Sequence, residues 1–245
     1  MSIRRTLATS TRVIAQLKHD RRTVALIFVV PVLLMGLLAW IFEASPLAFN
    51  RLAPPLLALF PFVIMFLITS ITMLRERSSG TLERLLAMPV GRLDILAGYA
   101  ISFGLMAIVQ ALLASTASIY LFGLSIAGSP ILLIIIALAD ALLGVGLGLL
   151  ASAFARTEFQ AVQFMPAFVL PQTLLCGLVV PLAQLPTALH YIANVLPLTY
   201  AVQAMQKVST EIELSGQTVR DLGVVLGFAL LSVVLASVTL RRQTR

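Results

Sequence analysis

Charged side chains make up only 11% of this 245-residue chain, which has one cysteine, two histidines and one tryptophan. Each shortage removes a class of chemistry. Cys176 alone forms no disulfide framework and no Cys-rich metal site, so packing is its expected role. The lysines are Lys18, before His19, and Lys207, before Val208, so no Gly-Lys-Ser/Thr phosphate loop exists and the chain does not hydrolyse ATP by that route. His19 and His190 lie far apart and outside any metal-ligand spacing, and no Ser occupies a Gly-x-Ser-x-Gly turn. Asp140 is the only acid deep inside an apolar run, so paired-carboxylate chemistry is missing too. No enzyme activity, metal or cofactor of its own is therefore expected. Low-complexity tracts and clear internal repeats are likewise absent.

What the chain has in abundance is apolar surface: 60% of its residues are hydrophobic. Soluble domains carry roughly a quarter charged residues, so this composition is that of an integral membrane protein. About 20 apolar residues cross the hydrocarbon as a helix. Six stretches qualify, near Thr23–Phe42, Ala53–Leu74, Gly98–Phe122, Ile131–Phe154, Ala161–Pro181 and Leu222–Leu240. They are continuous rather than alternating, which excludes a β-barrel.

Basic residues gather in the N-terminal arm (Arg4, Arg5, Arg12, Lys18, Arg21, Arg22), the loop after the second run (Arg75, Arg77, Arg84, Arg92), Arg156 and the tail (Arg241, Arg242, Arg245). Only Arg51, Lys207 and Arg220 fall on the other face. Basic loops are cytoplasmic, so both termini are expected there, in a multi-pass protein of the inner or plasma membrane. The net charge of +7 then reflects orientation and attraction to anionic lipid, with no call for nucleic acid. The first run starts after Arg22 and is too long for a signal-peptide core, so it is expected to stay. Before it, Ile3, Leu7, Ile14 and Leu17 fall near one helical face, which describes an amphipathic interfacial helix; a disordered basic arm is the alternative. The expected fold is all-α: one membrane domain over 1–245, with an interfacial segment at 1–22, a charged cytosolic segment at 75–97 and an external loop at 182–220.

That charged segment carries the most specific signal. Gly80 and Pro89 bracket a short helix on which Leu82, Leu85 and Leu86 form an apolar ridge, with Glu83 and Arg84 pointing elsewhere. Such a ridge docks a partner or lies on lipid. The string Glu76, Gly80, Thr81, Glu83, Leu85, Pro89 resembles the signature of the type-2 ABC exporter permeases of the drug-resistance, daunorubicin-exporter-like kind. In two places it departs from that pattern: Met88 replaces a small hydroxylic residue before the proline, and Tyr99 stands where a Lys often follows the glycine. The Leu196-Pro197-Leu198-Thr199-Tyr200-Ala201 string is similar to a second, weaker hallmark of the same family.

The resemblance implies that Glu76, Gly80, Thr81, Leu82, Glu83, Arg84, Leu85, Leu86 and Pro89 belong to a coupling helix. Its partner would be a separate cytosolic ABC ATPase subunit that binds ATP and Mg. It also implies a half-sized permease that pairs with a second copy or a homologue to export an amphiphilic drug, lipid or glycoconjugate. In such exporters helices two and five line the pathway. Here Phe62, Met65, Phe66 and Thr69 share a face of the second, and Phe164, Phe168 and Gln172 a face of the fifth, which is bent by Pro166 and Pro171. Plain packing is the other reading of both stripes.

Asp140 lies in line with Gly144, Gly148 and Ser152, where another helix can approach closely. It serves either as a hydrogen-bonded clamp or as a substrate or proton contact. The rival functions are an ion- or proton-coupled carrier working through Asp140 and a non-transporting membrane anchor for an ATPase. The external loop reads as short helices broken at Pro197 that sit at the outer interface or form a half-inserted hairpin.

Overall fold

A chain in hydrocarbon satisfies its backbone N–H and C=O groups internally. The computed structural model, which describes residues 2–87 and 91–239, does this with helices and has no strand among the described residues. The helices are α1 (Ile3–His19), α2 (Arg21–Ile41), α3 (Pro46–Ser78), α4 (Thr81–Ala87), α5 (Arg92–Thr116), α6 (Pro130–Ser152), α7 (Glu158–Leu175), α8 (Thr187–Ala193), α9 (Pro197–Thr210) and α10 (Gly216–Thr239). A π-helical turn, Ala117–Leu121, extends α5. Prolines open α3, α6 and α9, where a missing N–H costs nothing.

Among the described residues, five segments are long and apolar enough to cross a membrane: Arg21–Ile41, Pro46–Ser78, Leu93–Leu121, Pro130–Ser152 and Gly216–Thr239. They coincide with five of the six expected runs. The remaining run, Ala161–Pro181, corresponds to α7, which is 18 residues long and carries Glu158, Gln160, Gln163 and Gln172. Its helix ends before Pro181 because the chain turns at Gly177, whose φ is +92°.

The bundle is organised around α6, which α3 crosses at backbone distance. A Cβ on Gly144 would come within 2.4 Å of the Phe62 carbonyl oxygen, and one on Gly148 within 2.5 Å of that of Phe66. Only glycine permits this approach, the small-residue packing expected where lipid offers helices no hydrophobic incentive to associate. On another side of α6, Gly146 lies against the Ala229 carbonyl of α10.

The N-terminal helix α1 packs on α5 through a hydroxyl-rich face: Thr6, Thr9, Ser10, Val13 and Leu17 are buried. Ser102 of α5 donates to the Ser10 carbonyl at 3.0 Å. Of the expected apolar stripe, Leu17 joins this core, Ile14 is half-buried, and Ile3 and Leu7 remain exposed. The helix thus has two faces, one packed on protein and one exposed with Ile3 and Leu7 on it. Periodicity of large apolar residues reveals only the second, since small hydroxyls pack without registering as hydrophobic. At the corner into α2, Asp20 accepts from Thr23 N at 3.1 Å and from its hydroxyl at 2.6 Å. These bonds hold the carboxyl below the usual carboxylate range.

The 182–220 segment breaks at Pro197 as expected. Leu196, constrained by the following proline, is extended, and α9 begins there. α8 is largely exposed, whereas α9 buries Leu198, Ala201, Val202, Ala204, Met205 and Val208 against α3, α6 and α10. Its C-terminal carbonyls accept from the α5–α6 loop, Gly128 N reaching Val208 O and Ala127 N reaching Ser209 O, both at 3.0 Å.

Candidate functional site

The end of α3 ties three helices together with three consecutive residues. Arg75 makes a bidentate contact with Glu158 at the start of α7, at 2.8 and 3.0 Å. Glu76 points inward, only 8% exposed, and meets Arg12 of α1 at 3.5 Å. Arg77 donates to the Ser152 carbonyl at the end of α6. Successive residues of a helix point about 100° apart, so adjacent side chains reach separate neighbours. Arg12 also donates to the Tyr99 hydroxyl of α5 at 2.6 Å and lies 5.8 Å from the centre of that ring. Tyr99, the departure from the family pattern, therefore has a job here: it gives the Arg12 guanidinium a second polar partner beside Glu76.

Gly80, with φ +73°, makes the turn from α3 into α4, a conformation that a side chain would strain. Thr81 and Ser79 share a hydroxyl contact of 2.9 Å across this turn.

The expected outward leucine ridge needs correction. Leu82 is 4% exposed and, with Leu85 packed beside it, joins the core that contains Leu17, Met73, Ile95 and Leu96. A seven-residue helix has too little internal stability to leave its apolar face in water, and the surface that covers it is the chain's own core, shared by α1, α3 and α5. Among the described side chains of α4, Arg84 and Ala87 are exposed. Pro89 and Met88 lie outside the described residues, as do the side chains of Glu83 and Leu86. Beside α4, Gln16, Leu17, Asp20, Arg75, Glu76, Ser79 and Thr81 line a cleft of about 270 Å³.

The expected pathway residues divide. Phe62, Phe66, Phe168 and Gln172 line one cavity of about 220 Å³ between α3, α6, α7, α9 and α10, together with Phe154 and Phe228. Met65 and Thr69 are fully buried in helix packing, Thr69 with its Cβ 3.1 Å from where a Cβ on Gly148 would sit. Phe164 lies outside the lining and stacks edge-on with Phe168 at 6.1 Å. Nothing in a helical stripe distinguishes Phe154 or Phe228 from lipid-facing neighbours, so sequence reasoning missed both. Phe168 and Phe154 are more than half exposed, so the cavity opens sideways. Gln172 is tied down: its amide donates to Phe168 O at 3.1 Å and accepts from Leu198 N at 3.4 Å, capping the first turn of α9.

Asp140 is fully buried in α6, and neither carboxyl oxygen has a hydrogen-bond partner among the described residues. No hydrogen-bonded clamp of the kind its spacing allowed forms among the described residues. Another buried carboxylate went unnoticed in the sequence. Asp221 of α10 accepts from Lys207 at 3.2 Å and Arg220 at 3.0 Å, a cluster its position beside Arg220 could have signalled.

A family model described as "ABC-2 type transporter" matches residues 4–209. The chain is 26% identical over 166 residues to a probable multidrug ABC transporter permease, YbhS, of Escherichia coli, an alignment covering 67% of this chain and 44% of that protein. It is 32% identical over 162 residues to the linearmycin resistance permease protein LnrN of Bacillus subtilis, covering 64% of the chain and 41% of that protein. With ABC transporter G family member 20 of Dictyostelium discoideum the identity is 31% over 157 residues, 64% of the chain and 22% of that protein. The chain thus matches less than half the length of each of these relatives.

Proposed function

The chain belongs to the ABC-2 type transporter family, and from that premise we propose that it is the membrane-spanning permease subunit of an ATP-driven exporter. A separate cytosolic subunit binds ATP and Mg and supplies the energy. The cargo is an amphiphilic drug, lipid or glycoconjugate, a reading supported by the aromatic cavity around Phe66 and Phe168 and by the multidrug and linearmycin-resistance names of the relatives. A second permease copy or a homologue completes the pathway. In this reading α7 is also a span, the fifth of six, so both termini and α4 face the cytoplasm, in keeping with the distribution of basic residues.

The observation that carries the proposal is the three-way junction of Arg75, Glu76 and Arg77 immediately before α4. The ATPase grips the water-facing side of α4, at Arg84 and the adjoining cleft. The opposite side is fixed to the permease core through Leu82 and Leu85. A push on α4 therefore moves the end of α3 with α1, α6 and α7, and with them the walls of the aromatic cavity. Cargo that prefers one arrangement of those helices shifts the populations of both subunits, and nucleotide affinity changes by the same coupling factor.

Arg84→Glu tests this. It is expected to abolish co-purification of the ATPase while leaving the permease folded and inserted. Full recovery of ATPase with the variant would remove α4 as the docking element. The orphan carboxyl of Asp140 favours a second reading, a proton or ion step within the membrane. Asp140→Asn then stops transport with ATPase docking intact, whereas unchanged transport leaves Asp140 outside the mechanism.

A further inference from the structure

A wide recess lies at the end of the bundle opposite α4 and has no part in the coupling scheme. It measures about 830 Å³, within the range of ligand sites, and is walled by the start of α3, the turn after α7, the far half of α9 and the start of α10. Among the described residues its lining holds two cations, Arg51 and Lys207, and no carboxylate. Arg51 is exposed and enters no ion pair among the described residues.

Lys207 is held from beneath by Asp221, which is fully buried and also accepts from Arg220. Two cations share that one carboxylate, so the cluster keeps a net positive charge, and Lys207 is its member in the lining. Lys207 retains N–H donors beyond its bond to Asp221. The amides of Gln203 and Gln217 add neutral polar capacity, and Leu52, Pro55 and Val179 give an apolar flank, with Val179 61% exposed.

The walls are fixed rather than incidental. Asn50 accepts from Ser125 N at 3.0 Å, and Gln206 donates to Gly177 O at 3.5 Å, bridging separate segments around the opening.

We propose that this recess binds the phosphate of an amphiphile whose headgroup carries a net negative charge. The phosphate oxygens meet Lys207 and Arg51, and the acyl portion leaves along Leu52 and Val179. Arg and Lys are the side chains suited to such an anion, Arg as a fork and Lys as a point charge. The site lies apart from α4 and from the aromatic cavity, so the inference stands whether or not the chain couples to an ATPase.

The test uses the full-length chain purified in detergent. Thermal unfolding and native mass spectrometry are followed on titration with phosphatidylglycerol, phosphatidylcholine or inorganic phosphate. Phosphatidylglycerol is expected to bind saturably and raise the midpoint, with phosphatidylcholine much weaker. Arg51→Gln is expected to weaken the lipid by about tenfold, the loss of one charge-assisted contact. Gln203→Glu, which places a negative charge in the recess, is expected to abolish binding, and Lys207→Arg to preserve it. Lys207→Gln is avoided because it strips a partner from buried Asp221. Circular dichroism verifies that the variants are folded. Saturable binding of inorganic phosphate, lost in Gln203→Glu, would support the anion site and assign it to free phosphate instead of lipid. Equal affinity for both lipids, no binding of either anion, or binding untouched by Arg51→Gln and Gln203→Glu would overturn the proposal.

Discussion

Glu76 stands at a signature position, yet it faces the interior and its partner is Arg12, 64 residues earlier in the chain. The acid serves the docking surface indirectly, by fixing where α3 ends relative to α1. A buried carboxylate that loses its cation is costly, and so is the reverse. Glu76→Gln and Arg12→Gln are each expected to destabilise the purified protein by roughly 1–3 kcal/mol, the range for hydrogen bonds to charged groups. The double variant is expected to cost about 1 kcal/mol less than their sum, because the two share one interaction. Thermal unfolding of the four proteins measures this, and strict additivity would show that the pair is not coupled. The exposed Arg75–Glu158 contact is weaker despite its better geometry, since water and salt screen it. Arg75→Gln is expected to change stability by less than about 1 kcal/mol. The identity of Glu76 was legible in the sequence, but its partner was not, because a pairing between α1 and α3 depends on the fold.

At the scale of elements, α3 and α6 form the rigid core and α4 the lever attached to it. Gly144 and Gly223 make a matched comparison: a methyl group at the first meets the Phe62 backbone, and at the second nothing lies within 4 Å. Gly144→Ala is expected to destabilise the bundle by about 1–3 kcal/mol, the range for overpacking, whereas Gly223→Ala is expected to stabilise it by about 0.5–1 kcal/mol through helix propensity. Thermal unfolding of the two variants side by side reads the difference directly. On α4, Leu82→Asp is expected to loosen the helix from α1 and α5, visible as protease sensitivity near Gly80. The close approach of α6 was legible from glycines four residues apart. The direction of the leucine ridge was not. Its periodicity locates an apolar face on α4 but says nothing about which of two apolar surfaces, the chain's own or a partner's, covers that face.

The whole molecule is a multi-pass membrane protein whose two ends differ in chemistry. One end carries the α3–α4 junction and most of the basic residues, and the other carries the recess lined by Arg51 and Lys207. The hydrophobic runs located the spans because length and apolarity suffice for that. α7 was harder to read, since its glutamines and Gly177 shorten the helix while the sequence stays greasy through Pro181. The buried course of α9 was only half legible: Pro197 marks its start, but its burial depends on helices far away in the chain. The most direct test of the account places single cysteines at Arg84 and Thr187 in a Cys176→Ser background and labels cells with a membrane-impermeant maleimide. Residue 187 is expected to react in intact cells and residue 84 only after permeabilisation, so that α4 faces the compartment where ATP is hydrolysed. Labelling of residue 84 in intact cells would contradict the proposal at its root.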